Sequence, residues 1–193
     1  LDITNTPRVS EIVVDIETTL GQIDLAVLNA GTHMPTPIAN FTAETVRPLF
    51  EINVMGTVNC LSAFLAKRKA RQGCHIAVVA SLAGYCGLPK ASGYGATKAA
   101  LINMCESLKP ECERFGISLG LINPGFVKTP LTDKNDFPMP FLISAEDAAT
   151  RIFDSFKKTR FETTFPARFS FGMKALRLLP YKLYFAITRR MSR

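Results

Sequence analysis

A tyrosine and a lysine one helical turn apart are the residues of this sequence with the most informative chemistry. Tyr94 and Lys98 are four positions apart, so in a helix both side chains lie on the same face. A tyrosine normally loses its proton near pH ~10, and a neighbouring lysine cation favours the phenolate. Ser81, thirteen residues before Tyr94, supplies a hydroxyl that can hold a substrate oxygen. These residue types predict proton transfer to or from a carbonyl or alcohol oxygen.

Three short apolar runs, each closed by polar or turn residues, indicate strands that would position this chemistry. They cover residues 23–28, 75–80 and 117–122, and they are followed by Asn29-Ala30-Gly31, Ser81 and Asn123-Pro124-Gly125. Continuous apolar runs are typical of strands buried on both faces. Ligands of parallel sheets bind at the carboxyl ends of the strands, so we expect the closing residues to line one site.

Segments with helical periodicity alternate with these runs. They cover residues 6–21, 42–70 as two helices that meet near Asn53, 94–115 with Gly116 as the cap, and 144–157 with Ser144 as the N-cap. Alternating strands and helices predict an α/β fold with a doubly wound parallel sheet, which is a Rossmann-type, three-layer architecture.

Five motifs, in this order and spacing, resemble those of the short-chain dehydrogenase/reductase family. They are Asn29-Ala30-Gly31, Asn53-Val54-x-Gly56, Ser81, Tyr94-x-x-x-Lys98 and Pro124-Gly125-x-Val127-x-Thr129. The resemblance covers about residues 1–130. It implies an oxidoreductase that transfers hydride between NAD or NADP and a small-molecule alcohol or carbonyl.

The resemblance also implies a role for each matching residue. Tyr94 is expected to exchange the proton, Lys98 and the positive ring of the oxidised cofactor to favour its phenolate, Ser81 to hold the substrate oxygen, and Asn53 to anchor a water in the proton relay. Asp2 is expected beside the adenine, Asn29 to Gly31 on the adenosine side, and Pro124 to Thr129 around the nicotinamide. The expected cofactor-binding residues are Asp2, Asn29, Ala30, Gly31, Tyr94, Lys98, Pro124, Gly125, Val127 and Thr129.

Each motif taken singly has a structural alternative. Asn29-Ala30-Gly31 and Pro124-Gly125 are also ordinary turns, with glycine supplying a positive φ, Asn53 could be an exposed polar helix residue, and Ser81 could be a simple cap. Tyr94 and Lys98 could be a surface pair of a helix. Gly93 and Gly95 faintly resemble a phosphate loop but lack its G-K-[ST] ending, so we expect them to give backbone flexibility beside Tyr94. The joint occurrence of all the motifs favours the functional interpretation.

The glycine-rich turn with which the family begins is not found in the printed sequence, which starts at Leu1. We expect the sequence to start at the family's third strand, with the first β-α-β segment missing, and with it the residue that selects NAD or NADP. The alternative to an active enzyme is therefore an inactive fragment or pseudoenzyme. The presence of Asn53, Ser81, Tyr94 and Lys98 favours the enzyme.

Charge and cysteine content bound the remaining function classes. The net charge is +7, but residues 157–193 carry ten Lys/Arg and one acid, Glu162. We therefore divide the chain into a partial NAD(P)-binding catalytic domain, 1–166, and a basic amphipathic tail, 167–193, which has no signature of a nucleic-acid fold. Five cysteines without a C-x-x-C pair and two distant histidines predict reduced thiols, a cytoplasmic location and no metal site.

Two C-terminal segments bear on substrate and partners. Residues 130–141 are rich in Pro, Met and Phe, which predicts a loop for a hydrophobic alcohol or ketone; a surface loop is the alternative. In the tail, Pro180 predicts two short helices instead of one. Their apolar residues either contact an anionic membrane surface or pack on the substrate loop or on a second subunit of a homo-oligomer. No apolar run reaches the roughly 18 residues of a membrane span. The tail's apolar residues at helical spacing are Met173, Leu176, Leu179, Leu183 and Ile187.

Overall fold

Four parallel strands form a single sheet in the computed structural model, which describes residues 1–66, 73–135, 137–158 and 160–191. The strands are paired in chain order, and their registers bring their carboxyl ends to one edge of the sheet. The three predicted strands are confirmed, whereas β4 was not predicted, since its four residues Glu-Thr-Thr-Phe form no apolar run. The strands are β1 (Leu25–Leu28), β2 (His75–Val79), β3 (Ser118–Pro124) and β4 (Glu162–Phe165).

Seven α-helices accompany the sheet in the described residues. Asn5 caps the first helix through its side chain, and Ser144 caps the fifth as the sequence predicts. Gly116, with φ +67°, follows the fourth helix in the left-handed conformation that glycine favours. The helices are α1 (Thr6–Leu20), α2 (Ala43–Phe50), α3 (Gly56–Ala66), α4 (Ser92–Arg114), α5 (Ala145–Ser155), α6 (Ala167–Arg177) and α7 (Tyr181–Met191).

Alternate residues of the central strands enter two cores on opposite faces of the sheet. On β2, Ile76 and Val78 join the larger core, which α1, α3 and α4 cover, while Ala77 and Val79 join a smaller core against α5. The two cores confirm the predicted doubly wound α/β fold. β1 lies at one edge of the sheet, where Leu25 and Val27 are exposed.

The helices α2 and α3 are joined by a π-helical turn, Glu51–Met55, into one continuous helical stretch. Residues 67–70 of the predicted helical segment lie outside the described residues. This stretch, Ala43–Ala66, is long and apolar enough to cross a membrane by length and composition alone, so the expectation that no segment reaches that length was wrong. Asn53 and Thr57 within it are buried and hydrogen-bonded inside the protein, which is typical of a core helix of a folded domain.

Pro180 separates α6 from α7, which confirms the prediction of two short helices. On α6, Met173 and Leu176 are buried, and Met173 belongs to the larger core. Phe169 packs on Phe126 and Phe141, so α6 covers the predicted substrate loop. The tail therefore begins inside the packed body of the protein, and the domain boundary at residue 166 stays a prediction.

Candidate active site

The π-helical turn between α2 and α3 places Asn53 at the centre of the candidate site. Such turns occur mostly as single insertions in α-helices and are frequent at functional sites. The Asn53 side chain is fully buried; its Oδ1 accepts from the Thr32 N–H at 2.7 Å. Its Nδ2 donates to the Thr32 carbonyl at 2.9 Å and to the Thr97 hydroxyl at 3.0 Å. Asn53 thereby ties the segment after β1 to α4, and it is not an exposed helix residue.

Lys98 on α4 reaches the same place from the other side. Its Nζ donates to the carbonyl of Val79, the last residue of β2, at 3.0 Å, and the residue is only 4% exposed. Burial lowers the pKa of the Lys98 ammonium to about 8. The carbonyl takes one of the three ammonium donors. Lys98 is therefore a buried cation at the sheet edge, close to the end of β2.

Gly31 lies where Asn53 and Lys98 meet. A Cβ at this position would be 3.2 Å from Asn53 Oδ1 and 3.6 Å from Lys98 Nζ. The φ of Gly31 is not in the positive region, so the turn does not need glycine for its backbone conformation. Glycine is used here for close approach, which gives Asn29-Ala30-Gly31 a role beyond that of an ordinary turn.

Tyr94 and Ser81 complete the group of residues that the sequence pattern indicated. The Lys98 Nζ is 5.7 Å from the centre of the Tyr94 ring. Burial raises the pKa of the Tyr94 phenol, and the nearby Ser81 side chain acts in the opposite direction. Burial is the largest influence on the pKa of this phenol in the chain alone, and the expectation that Lys98 and the oxidised cofactor ring favour the phenolate stays a prediction.

The cofactor-binding residues of the prediction fall into two groups. Asn29 and Ala30 are exposed at the end of β1, next to Gly31. The Pro124 carbonyl accepts from the Ser81 hydroxyl at 3.4 Å, which places the turn after β3 against the site. The loop from Val127 to Thr129 continues from this turn and is closed by the Thr132 hydroxyl, which donates to both carbonyls.

Asp2 is placed differently from the other predicted residues. Its carboxylate accepts from the N–H and the hydroxyl of Thr4, at 2.9 and 2.7 Å, and these bonds lower the pKa of the exposed Asp2 carboxyl. The next residues pack on α3, where Asn59 donates to the Ile3 carbonyl. Asp2 therefore lies in a local turn with Thr4. None of these hydrogen bonds links it to Asn53 or Lys98.

Three residues near Tyr94 were missed by the sequence reasoning. The His33 ring lies 4.8 Å edge-on from the Tyr94 ring, and its Nε2 is 3.0 Å from Asn135 Oδ1 in the predicted substrate loop. Burial lowers the pKa of the His33 imidazole. Thr97, which holds Asn53, is the third. The position of His33, two residues after Gly31, was a usable signal. Asn135 and Thr97 carry none, since their partners are distant in sequence.

Gly93 and Gly95 have a different purpose from the flexibility we expected. Both lie inside α4. A Cβ on Gly93 would be 2.7 Å from a Leu49 methyl group, and one on Gly95 would be 3.0 Å from the Ala83 carbonyl oxygen. These glycines therefore let α4 approach its neighbours closely, and this packing fixes the position of Tyr94 between them.

A second polar cluster, around the half-buried Glu162 at the start of β4, lies beside the site. The Glu162 carboxylate accepts from Tyr85 and Lys174 and, at 2.7 Å, from Asn123 Nδ2. Burial acts to raise the pKa of Glu162, but the bonds from Lys174, Tyr85 and Asn123 outweigh it and hold the pKa below its ordinary value. Tyr85 follows Ser81 by four residues and Asn123 precedes Pro124, so this Glu162 cluster joins both segments to α6. Nothing in the sequence pattern indicated it.

The thiols and histidines show no further reactive group among the described residues. None of the five cysteines forms a disulfide, and Cys74, Cys105 and Cys112 are buried in the protein. Burial raises the pKa of the Cys105 thiol to about 12. No group of three or more His, Cys, Asp or Glu that could hold a metal ion occurs in the described part of the chain.

Comparison with known proteins agrees with this geometry. The family model for short chain dehydrogenases matches residues 1–138. An uncharacterized oxidoreductase of Myxococcus xanthus is 35% identical over 99% of this chain, which spans 76% of that protein. Human 17-beta-hydroxysteroid dehydrogenase type 1 is 38% identical over 60% of the chain, which spans 35% of that protein. The structure of ElxO with NADP bound superimposes with a TM-score of 0.72 at 26% identity, over 80% of this chain and 68% of that one.

The chain belongs to the short-chain dehydrogenase family, because the family model covers well over half of it. The Rossmann-type sheet with the polar side chains gathered at its carboxyl edge agrees with this membership.

Proposed function

We propose that the protein is an NAD(P)-dependent oxidoreductase that interconverts an alcohol and a carbonyl compound at the Asn53-Ser81-Tyr94-Lys98 cluster. The observation that carries the proposal is the convergence of these residues, from three separate segments, near Gly31 and the end of β2. A buried cation beside a buried phenol is costly for stability and is typical of sites where protons move.

The chain's own groups divide the work of proton transfer. Tyr94 holds the proton that passes to or from the substrate oxygen, and the Ser81 hydroxyl orients that oxygen towards the phenol. Lys98 supplies a positive charge close to the phenol, which stabilises the phenolate that forms when the proton leaves. Asn53 holds α4 at a fixed distance from the segment that follows β1. This keeps Tyr94 and Lys98 of α4 in position at the site.

The residues present fit a nicotinamide dinucleotide. The Cβ-free edge at Gly31 leaves room beside the Lys98 ammonium, which has donors for hydroxyl groups of a ribose, and exposed Asn29 and Ala30 extend that edge. The dinucleotide, when bound, would supply or accept the hydride. We assign its contacts to Asn29, Ala30, Gly31, Tyr94 and Lys98 and to the turn and loop from Pro124 to Thr129. Asp2 stays a candidate for the adenine side. The choice between NAD and NADP stays open, although ElxO was solved with NADP.

The proposed substrate is hydrophobic. Phe126 and Phe137 pack edge to face at 6.0 Å, and Phe141 packs on Phe169 of α6, so the loop presents an aromatic lining next to Pro124. His33 joins this loop to Tyr94 through Asn135. The named similarity to human 17-beta-hydroxysteroid dehydrogenase type 1 supports a bulky apolar alcohol or ketone.

The test is turnover by the purified full chain with NADH or NADPH and a panel of apolar ketones, compared with its Tyr94→Phe variant. Removal of the phenol hydroxyl deletes the proton donor with little change of shape. We expect turnover to fall on the order of 10²-fold or more, with dinucleotide affinity largely retained. Tyr181→Phe, on an exposed tyrosine, is the matched control and should leave turnover unchanged.

Two results would overturn the proposal. Near-normal turnover by Tyr94→Phe would show that the acid/base assignment is wrong. A full chain that neither binds a dinucleotide in calorimetry nor turns over any ketone would favour the alternative, an inactive pseudoenzyme. A panel in which only small, polar sugars react would reject the hydrophobic substrate and leave the site intact.

A further inference from the structure

The amphipathic stripe of the C-terminal helices is buried at one end and exposed at the other. On α6, Met173 and Leu176 are 3% and 9% exposed. On α7, Leu183 and Ile187, which continue the same pattern, are 55% and 44% exposed, and Met191 one turn further is 53% exposed. The rest of the protein thus covers the apolar face of α6 but leaves that of α7 exposed to solvent.

The orientation of α7 is fixed, so this exposure does not come from a loosely placed helix end. Its inner side is defined by Tyr184 and Thr188, which are buried. The Tyr184 hydroxyl donates to the carbonyl of Gly87, in the segment between Ser81 and α4. Leu183, Ile187 and Met191 follow each other at four-residue spacing and form an outward row beside that inner side. We call this row the α7 stripe.

Charge around the α7 stripe has one sign. Residues 167–191 contain six Lys/Arg and no Asp or Glu. Arg190 is three and seven residues from Ile187 and Leu183, so it lies on the same face as the stripe, and Lys182 lies on the neighbouring polar face. The exposed Leu178 precedes α7 in the turn at Pro180. The surface therefore combines exposed aliphatic side chains with an excess of cations, of which Lys174 on α6 is paired with Glu162.

We propose that the α7 stripe docks the protein on an anionic lipid surface. The geometry fits a helix that lies in the membrane interface, with Leu183, Ile187 and Met191 at the acyl boundary and Arg190 and Lys182 at the headgroups. A second copy of the chain would bring the same cations against each other, and a nucleic acid would leave the aliphatic row in water. An anionic membrane satisfies both the charge and the apolar surface.

The test is cosedimentation of the full chain with vesicles of phosphatidylglycerol and phosphatidylcholine in equal parts, and with phosphatidylcholine alone. We expect binding to the mixed vesicles at low salt, and weaker binding in high salt. Lys182→Gln with Arg190→Gln should reduce partitioning about 25-fold, since each cation near such a surface contributes about fivefold. Arg8→Gln with Arg114→Gln, away from α7, is the charge-matched control and should partition like the original protein.

The apolar contribution needs its own variant. Leu183→Ser with Ile187→Ser removes the stripe at exposed positions, and it should abolish partitioning while thermal unfolding by circular dichroism stays cooperative. Val14→Ser with Ile38→Ser, also exposed, is the control for loss of apolar surface elsewhere. The sequence contains no tryptophan, so Ile187→Trp introduces a single tryptophan whose emission can be followed. Its emission should shift to the blue on the mixed vesicles, whereas that of Phe153→Trp on α5 should not.

Three outcomes would overturn the proposal. The first is that the protein stays in the supernatant with the mixed vesicles at low salt. The second is that the Leu183→Ser/Ile187→Ser variant binds the vesicles as well as the original protein does. The third is that sedimentation equilibrium shows a dimer that this variant dissociates. The last result would assign the α7 stripe to an interface between copies of the chain. All three readouts are independent of enzymatic turnover.

Discussion

Lys98 and Glu162 are charged groups at the same edge of the sheet, one buried and the other half-buried, and their surroundings differ. The Glu162 carboxylate receives a cation and two neutral donors, which hold its pKa below the ordinary value despite burial. The Lys98 ammonium donates to the Val79 carbonyl, and burial lowers its pKa to about 8. The surroundings of Glu162 stabilise its negative charge, whereas the surroundings of Lys98 disfavour its positive charge.

This difference separates a structural cluster from a chemical one. A carboxylate surrounded by donors gains stability from its ionised form and has little tendency to exchange a proton. A cation whose pKa has moved towards neutrality, beside a phenol, is available for proton chemistry and costs stability. The comparison therefore predicts that substitutions of the two groups change the free energy of unfolding in opposite directions.

The largest expected change is produced by Lys98→Met. The shift of the Lys98 pKa from 10.5 to about 8 corresponds to an electrostatic cost on the order of 3 kcal/mol at pH 7. Methionine removes the charge and keeps the apolar stem, so we expect the free energy of unfolding to rise by about 2 kcal/mol, while turnover is lost. Urea unfolding at pH 7 measures this change in the free energy of unfolding. Lys109→Met on the same helix, which breaks an exposed pair with Glu113, should change stability by less than about 0.5 kcal/mol.

The pH dependence of the free energy of unfolding, compared between the original protein and Lys98→Met, tests whether burial of the lysine charge causes the difference. Below pH 8 Lys98 is charged in both states, and its full cost is present. Between pH 8 and 10.5 the unfolded state binds more protons, so the original protein should gain stability relative to Lys98→Met as the pH rises. A difference between the two proteins that stays constant from pH 7 to 10 would show that the lysine is not destabilised by burial of its charge.

Glu162→Gln should have a smaller effect of opposite sign. The amide oxygen can still accept from Tyr85 and Asn123, but the charge that Lys174 meets is lost, and we expect a loss of about 1–2 kcal/mol at pH 7. Because the folded pKa of Glu162 is depressed, its contribution is present above the unfolded pKa of 4.5 and is lost as the pH falls through the folded value.

Unfolding of Glu162→Gln and the original protein at pH 7 and at pH 3 measures this contribution. The two proteins should differ less at pH 3. Glu113→Gln is the matched control, since that glutamate makes an exposed pair within α4 and should matter by less than about 0.5 kcal/mol. Equal effects of the two substitutions would remove the distinction between the Glu162 cluster and a surface ion pair.

Most of the sheet and the core of the site could be predicted because both leave local patterns. Apolar runs identified three strands, and the four-residue spacing of Tyr94 and Lys98 put both on one helix face. β4 could not be predicted: its polar residues are strand because they pair with β3, and Leu121↔Glu162 is a contact between distant positions. The Glu162 cluster was missed for the same reason.

The purpose of the glycines was also beyond local patterns. A positive φ for Gly31 was the structural alternative, and Gly93 and Gly95 were expected to give flexibility. At all three positions, atoms of other segments lie tightly against the place that a Cβ would occupy. Likewise, periodicity predicted one apolar face for Met173 to Ile187, and only packing shows that the face is buried on α6 and exposed on α7. The predicted homo-oligomer and cytoplasmic location are not addressed by such contacts and stay predictions.

Gly31→Ala is expected to have the smallest effect on the free energy of unfolding. It tests how tightly Gly31, Asn53 and Lys98 are packed against one another. The added Cβ would lie 3.2 Å from Asn53 Oδ1, and Asn53 can give little because Thr32 and Thr97 hold its amide. Overpacking of this size should lower the free energy of unfolding by about 1 kcal/mol and lower turnover with it. Gly172→Ala on α6, where nothing lies within 4 Å of the new methyl group, should instead stabilise by about 0.5–1 kcal/mol through helix propensity. If both variants are stabilised, Gly31 is not under steric constraint, and the crowding of Gly31, Asn53 and Lys98 does not fix the position of the lysine.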